Sequence, residues 1–318
     1  MNAATRGLVL QAASQINHDR TFDTGPDGKP EMEQHTHRVE DRKAILDQKD
    51  HMRDMQRTTL DVTGISSPYP SIARVTGRVD TSDPQQWTVP NLAVRIEVDD
   101  LAAARPLSRI YTIRHFDPTR REVEIDVVLH DDDSPAMRWL RDLRVGDRVW
   151  MTGPRTHFVP PFTPGKRAAL FADDTAIPAV FSILRAWPQG VPGAIWVEGC
   201  DRAAMDALPR VPGVARHFML RDAAMAAGTT GRLFAAAASA ITSPQDWTIW
   251  AAGERSEMRL LRTHFRKLGL PPAALQVTGY WKHGMCSTEL DRQRLAAYEA
   301  ARAEGLTLED MMDRDEAV

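Results

Sequence analysis

The sequence predicts a β-barrel followed by an α/β domain, and three observations carry that reading. Between about residues 58 and 154 apolar and polar residues alternate with period two. A proline-rich stretch, Pro160 to Lys166, then breaks the pattern. From Ala168 onward short apolar strands alternate with amphipathic stretches of helical period. A chain of 318 residues holds two ordinary domains. The expected divisions are an N-terminal extension over 1–56, an antiparallel barrel over 57–163, a parallel-sheet α/β domain over 164–286 and a helical tail over 287–318.

Residues 1–56 open with a briefly helical GLVLQAAS and a polar, turn-rich DTGPDGKP, then become densely charged. So few large apolar residues cannot bury a core, so an arm is expected, either partly helical or disordered. Within it His35 and His37 flank one threonine, with nothing nearby to complete a metal ligand set. The barrel strands are read at TTLDVTG, SIARVTGRVD, LAVRIEVDD, SRIYTIR, EVEIDVVLH and DRVWMTGP. In the fifth, Val123, Ile125, Val127 and Leu129 form an apolar face opposite Glu124, Asp126 and His130. In the second half the strands are LFA, AIWVEG, RHFML, TIWAAG and LQVTGYW, separated by helical AVFSILRAW, GRLFAAAASAI and EMRLLRTHFRKLG. Met258, Leu261, Phe265 and Leu268 share one helical face and Gly269 stops the helix. Such alternation means a parallel sheet covered on both faces. The Ala-, Arg- and Glu-rich tail favours helix, either docked or lying as a lid over the site.

Composition excludes several classes. Forty Lys plus Arg against forty-three Asp plus Glu, net charge −3, gives no basic field for nucleic acid. Two cysteines, Cys200 and Cys286, lack the spacing of an iron–sulfur or zinc site and are expected as buried thiols in a reducing compartment, so no protein-bound metal is expected. No apolar run of eighteen residues and no cleavable leader are found, which predicts a cytoplasmic protein without membrane insertion.

The chemistry centres on Arg109-Ile110-Tyr111-Thr112. In a strand Arg109 and Tyr111 share a face while Thr112 offers its hydroxyl at the rim. A flavin uses such a set: a ring to cover the isoalloxazine, a hydroxyl for N5 and a guanidinium for phosphate. A half-buried strand with charged ends fits these residues as well. Four further motifs follow in order: His130 before Pro135-Ala136-x-x-Trp139, Asp173-Asp174-Thr175-Ala176-x-Pro178-Ala179, Trp250-x-x-Gly253-Glu254, and Tyr280-Trp281-Lys282-x-Gly284. Across Arg109 to Gly284 the chain resembles the siderophore-interacting protein family, flavin-dependent ferric-siderophore reductases of the ferredoxin-reductase superfamily.

That resemblance implies a barrel holding FAD, then an α/β domain for NAD(P)H. It implies Tyr111 against the isoalloxazine, Thr112 near N5, these two being the expected catalytic residues, and Arg109 on the pyrophosphate. His130 is implied beside the flavin, although as a lone histidine it reads equally as a strand end. Ser134, Pro135, Ala136 and Trp139 join the cofactor set. Ser134 with Pro135 reads as an N-cap and first turn whose free N–H groups suit a phosphate, and it replaces the family's usual glycine. Asp173, Thr175 and Ala176 are implied at the dinucleotide, with Asp174 where a glutamate is usual; no GxGxxG occurs. Trp281 is implied at the flavin, or is core packing. Lys282, His283 and Arg255 are the expected substrate-binding residues, forming a cationic, π-lined mouth suited to anionic catecholate complexes. The expected activity is reduction of a ferric siderophore with electrons from a nicotinamide, releasing Fe(II) for intracellular iron supply. Arg202, after the second α/β strand, is a weak pointer to NADPH. The alternatives are a generic flavin reductase, a ferredoxin-dependent member of the superfamily, or a non-catalytic siderophore or flavin carrier.

Overall fold

The computed structural model describes residues 55–98, 107–130, 132–222 and 224–285, with Glu289, Gln293, Ala296, Ala300 and Ala303 in helical conformation beyond them. The expectations for the N-terminal arm, His35, His37 and Cys286 lie outside the described residues, as does most of the tail.

Six strands, β1 (Gln56–Tyr69), β2 (Ile72–Val79), β3 (Leu92–Glu97), β4 (Ser108–Asp117), β5 (Glu122–Val128) and β6 (Arg148–Thr156), close a barrel in the order β1-β2-β5-β4-β3-β6. Every pairing is antiparallel. The period-two pattern drives it: Leu60, Val75, Val94, Ile96, Ile113, Val123, Ile125 and Met151 point inward into one core. Helix α1 (Pro135–Asp142) follows β5 and buries Ala136 and Met137 against that core.

The second half forms a five-stranded parallel sheet from β7 (Arg167–Ala172), β8 (Gly193–Gly199), β9 (Val214–Leu220), β10 (Trp247–Glu254) and β11 (Leu275–Trp281), in the order β11-β10-β7-β8-β9. Helices α2 (Ile177–Arg185) and α3 (Arg202–Asp206) bury one face; α4 (Arg232–Ala240) and α5 (Arg255–Lys267) bury the other. Strand order reverses direction between β7 and β10. The carboxyl ends of those two strands therefore flank the crevice where open α/β sheets bind ligands.

Three local expectations need correction. β5 ends at Val128, so His130 lies beyond the strand, and Leu129 is 38% exposed rather than part of the apolar face. Asp126, on the face read as solvated, is buried because Arg74 (Nε to Oδ1 2.6 Å) and Arg114 (Nε to Oδ2 3.3 Å) neutralise it. Leu268 is exposed at the end of α5, and Leu270 takes its place in the core. The proline-rich stretch between the two halves is anchored by Phe162, which packs edge-on against Trp187 with ring centroids 5.0 Å apart.

The two halves are joined by polar and aromatic contacts. Arg114 of β4 lies 3.4 Å over the Phe181 ring of α2. Asp201, the N-cap of α3, accepts the Ser71 main-chain N–H (3.2 Å) and hydroxyl (2.9 Å). Asn91 donates its main-chain N–H to Ser182 Oγ (3.0 Å).

Candidate active site

On the barrel, β4 carries Arg109, Tyr111 and Thr112 with the alternation the sequence requires. Tyr111 faces the same way as Ile113, packs on the barrel core and lies near-parallel to Trp139 of α1, centroids 6.5 Å apart at 26°. Burial pushes the Tyr111 phenol up to about 12, offset in part by the Arg109 charge, so it stays protonated at neutral pH. Arg109 Nη1 donates to the Ser108 carbonyl (2.9 Å). Ser134 is the N-cap of α1, its Oγ accepting from Met137 N at 3.4 Å, with Pro135 in the first turn. The helix start and its cap are as the sequence predicts. His130 is exposed, and its main-chain N–H points at Met137 Sδ (3.4 Å).

Two further cations stand on neighbouring strands. Arg95 of β3 donates to Ser108 Oγ (3.1 Å), and Arg155 of β6 has its pKa lowered by burial and by the charge of Arg95. Sequence reasoning missed both, because nothing in an alternating strand distinguishes an arginine turned to a site from a solvated one.

At the switch point the acidic turn is a brace. Asp173 Oδ1 accepts from Thr175 N (2.9 Å) and Thr175 Oγ1 (2.6 Å), while Oδ2 accepts from Glu254 N (2.9 Å) and Trp281 Nε1 (2.8 Å). One carboxylate thus ties together the ends of β7, β10 and β11. Burial raises its pKa to about 6 against these hydrogen bonds, and the neighbouring Asp174 charge adds to the rise. The side chain expected at the dinucleotide is turned inward. Ala176 is likewise fully buried, leaving its main chain to serve any ligand. Asp174 is buried in an ion pair with Arg221 (2.6 Å) and accepts Cys200 N (3.0 Å). Gly253 is required here, since a Cβ would lie 2.6 Å from Asp173 Oδ2.

Glu254 is the N-cap of α5: it accepts from Ser256 N (2.6 Å) and Glu257 N (3.0 Å), and from His283 N (3.2 Å). Trp281 is half-buried, with its indole N–H spent on Asp173 and its ring edge-on to His283. Gly228, at φ 71, brings a loop over both; a Cβ there would meet Glu254 Cγ at 2.4 Å and Trp281 at 3.2 Å. Lys282 is half-buried and His283 exposed. Arg255 lies over Gly279 of β11, its pKa lowered by burial and by Arg262. Arg202 pairs on the surface with Asp206 (2.9 Å) and lies 5.7 Å from the Phe218 ring. The expected residues therefore fall into two sets, one at β4 and α1, the other at the ends of β7, β10 and β11. Tyr280, absent from the expected set, links them: it belongs to β11, and its hydroxyl meets Thr112 of β4.

The residues on β4 and α1 fit a flavin dinucleotide by their chemistry. Tyr111 and Trp139 supply apolar planes, and Arg109 and the Ser134-capped helix supply a cation and main-chain donors for phosphate.

Comparison with known proteins agrees in both halves. Residues 47–158 match the family model described as siderophore-interacting FAD-binding domain, and residues 166–284 match that described as siderophore-interacting protein. The chain is 39% identical over 272 residues to the ferric acinetobactin reductase of Acinetobacter baumannii, covering 85% of this chain and 94% of that protein. Among solved structures, a siderophore-interacting protein from Acinetobacter baumannii superposes with a TM-score of 0.75 at 38% identity, over 79% of this chain and all of that one. A siderophore utilization protein from T. fusca superposes with a TM-score of 0.61 at 26% identity, over 74% and 96% of the two chains.

Proposed function

The chain belongs to the siderophore-interacting protein family, and from that premise we propose that it is an FAD-dependent reductase of ferric-siderophore complexes, fed by NAD(P)H and releasing iron as Fe(II). The observation that carries the reading is the 39% identity to a ferric acinetobactin reductase over 94% of its length. The arrangement of Arg109, Tyr111, Thr112 and Trp139 around β4 supports it.

In this reading Tyr111 and Trp139 hold the flavin ring and exclude water from it, while Arg109 and the first turn of α1 hold the phosphates. When bound, FAD supplies two-electron uptake and one-electron release, the conversion that links a nicotinamide to a single iron. Thr112 would offer its hydroxyl to N5. Asp173 fixes Trp281 and the start of α5 at the switch point, where the nicotinamide would enter. Lys282, His283 and Arg255 give that side a positive rim for an anionic ferric chelate. Iron needs no protein ligand, because Fe(III) arrives caged in hard oxygen donors that hold Fe(II) more loosely, so electron delivery is itself the release step. A cytoplasmic setting belongs to the proposal, since reduced nicotinamides are made there. Among the described residues no helix is long and apolar enough to cross a membrane.

The test is anaerobic stopped flow on the flavin-loaded protein. Bleaching of the flavin by NADPH or NADH, followed by recovery of its absorbance on addition of a ferric catecholate, is the expected result. Bleaching by reduced ferredoxin only would replace the nicotinamide, and a protein that binds chelate without flavin turnover would be a carrier.

A further inference from the structure

A line of hydrogen bonds runs from the core of the sheet to Thr112, and its directions can be assigned one after another. Trp250 Nε1 donates to the Phe158 carbonyl (2.8 Å), and Asn91 Nδ2 donates to that same carbonyl (2.6 Å). The amide of Asn91 is thereby oriented: its nitrogen faces Phe158 and its oxygen faces away, as an acceptor. The main chain of Asn91 is tied as well, its N–H on Ser182 Oγ and its carbonyl accepting His157 N (3.0 Å). Asn91 is 2% exposed and sits at φ 56, in the left-handed region that asparagine tolerates better than other side-chain-bearing residues. A buried residue held in such a conformation by three partners has a defined task.

That task is to receive Tyr280. The Tyr280 hydroxyl donates to Asn91 Oδ1 over a long 3.5 Å. Thr112 pairs across the ladder with Ala93, two residues beyond Asn91, and its hydroxyl meets the same phenol. A phenol has one hydrogen, and here it is spent on Asn91. Burial holds its pKa well above the ordinary range, so it is not lost to solvent. Toward Thr112 the phenol oxygen can therefore only accept. The hydrogen of Thr112 goes to Tyr280, and Thr112 shows its remaining neighbours lone pairs.

We propose that Tyr280, aimed by Asn91, is a positioning residue that commits the Thr112 hydroxyl to the acceptor role, and so tunes the barrel's cofactor toward its reduced form. The inference rests on the flavin reading above, with Thr112 beside N5. Oxidised flavin has a bare lone pair at N5, whereas reduced flavin has an N–H there. An acceptor hydroxyl hydrogen-bonds the second and repels the first. The sequence motif treats Tyr280 as one half of an aromatic pair, but the structure separates the two: Trp281 answers to Asp173 and Tyr280 to Asn91 and Thr112.

The experiment is a spectroelectrochemical titration of the flavin-loaded full chain and its Tyr280→Phe, Asn91→Gly, Thr112→Val and Tyr280→Phe/Thr112→Val variants, with flavin content and thermal unfolding as controls on folding. Tyr280→Phe frees the Thr112 hydrogen to donate to oxidised N5. The expected result is a preference for oxidised over reduced FAD that rises about tenfold, a midpoint roughly 30 mV more negative for a two-electron couple. Asn91→Gly, which keeps the backbone conformation while removing the acceptor, is expected to shift the midpoint in the same direction. In the Thr112→Val background Tyr280→Phe is expected to add nothing, because the hydroxyl through which it acts is gone. An unchanged or more positive midpoint in flavin-loaded Tyr280→Phe overturns the inference, as does a shift of the same size without Thr112. Failure of the wild-type protein to take up flavin would instead overturn the cofactor reading, and this inference with it.

Discussion

The mouth of the barrel and the acidic crest of the sheet differ in how their polar groups are used. At the crest Asp173 takes four protein donors, Asp174 pairs with Arg221, Glu254 caps α5, and Glu198 accepts the Thr230 hydroxyl (2.7 Å). Glu257 accepts Phe234 N (3.1 Å) and has its pKa raised by burial and by neighbouring carboxylates. These five buried carboxylates near the strand ends all accept hydrogen bonds or ion pairs from within the protein. At the barrel mouth the charge is cationic, from Arg95, Arg109 and Arg155, and it stands beside half-buried rings and hydroxyls on β4 and α1. The lesson is that buried, internally satisfied carboxylates mark the scaffold here, while arginines and partly uncovered aromatic groups mark the surface proposed to face the ligand.

That contrast sets the order of expected effects. The largest is at the crest: Arg221→Met strands Asp174, 7% and 12% being the side-chain exposures of the pair, and removing one partner of a buried ion pair costs about 3–5 kcal/mol. Urea unfolding should show that loss while any residual folded protein keeps its flavin; flavin loss without loss of stability would make the crest part of the ligand site. At the mouth the expected pattern is reversed. Arg109→Ala and Tyr111→Ala should release flavin from folded protein, each removing a contact worth about 1–3 kcal/mol, or roughly five- to 150-fold in the dissociation constant. Full occupancy in both variants, measured by absorbance after gel filtration, would place the cofactor elsewhere.

The same contrast explains what the sequence could tell. Barrel and sheet were legible because strand alternation and strand–helix alternation report which faces are buried, and Ser134-Pro135 was legible because capping is local chemistry. Asp126 was not, since a polar face reads the same whether it meets water or the guanidinium groups of Arg74 and Arg114. Asp173 was found as an important residue, but with its side chain facing the wrong way: a motif shows that a carboxylate is needed and is silent on which donors surround it. Asn91 and Tyr280 lie 189 residues apart and meet only through the packing of barrel on sheet, for which neither residue has a local signal.

Acid should separate the two regions further, because their titrating groups move in opposite directions. His157, edge-on to Tyr280 at 6.4 Å, has its pKa lowered to about 4 by burial and by Arg155. The unfolded chain takes up this proton near pH 6.5 and the folded one does not, so the stability involved is complete above about 6.5 and is lost as pH falls toward 4. Asp173, raised to about 6, works the other way: the folded chain holds its proton first, so its contribution grows as pH falls from about 6 to 3.8. His157→Gln should remove about 1–2 kcal/mol of acid destabilisation, seen as a flatter dependence of melting temperature between pH 6.5 and 4. An unaltered acid limb would show that His157 is open to solvent.

The smallest effect is expected at the rim, and it asks whether the crest has any ligand-facing charge at all. Lys282 is half-buried beside Trp281, close enough to solvent for its attraction to be screened. Lys282→Glu should raise the Michaelis constant for an anionic ferric chelate severalfold, with a much smaller change for a neutral hydroxamate complex, and should leave flavin reduction by nicotinamide intact. Added salt should lower the wild-type rate with the anionic chelate only, because an exposed attraction fades over roughly 8–10 Å at physiological ionic strength. Equal losses for charged and neutral chelates would mean that Lys282 holds Trp281 in place and attracts nothing. The crest would then be scaffold throughout, and the chelate would have to meet the protein at the barrel mouth, where Arg95 and Arg155 supply the positive charge that the rim does not.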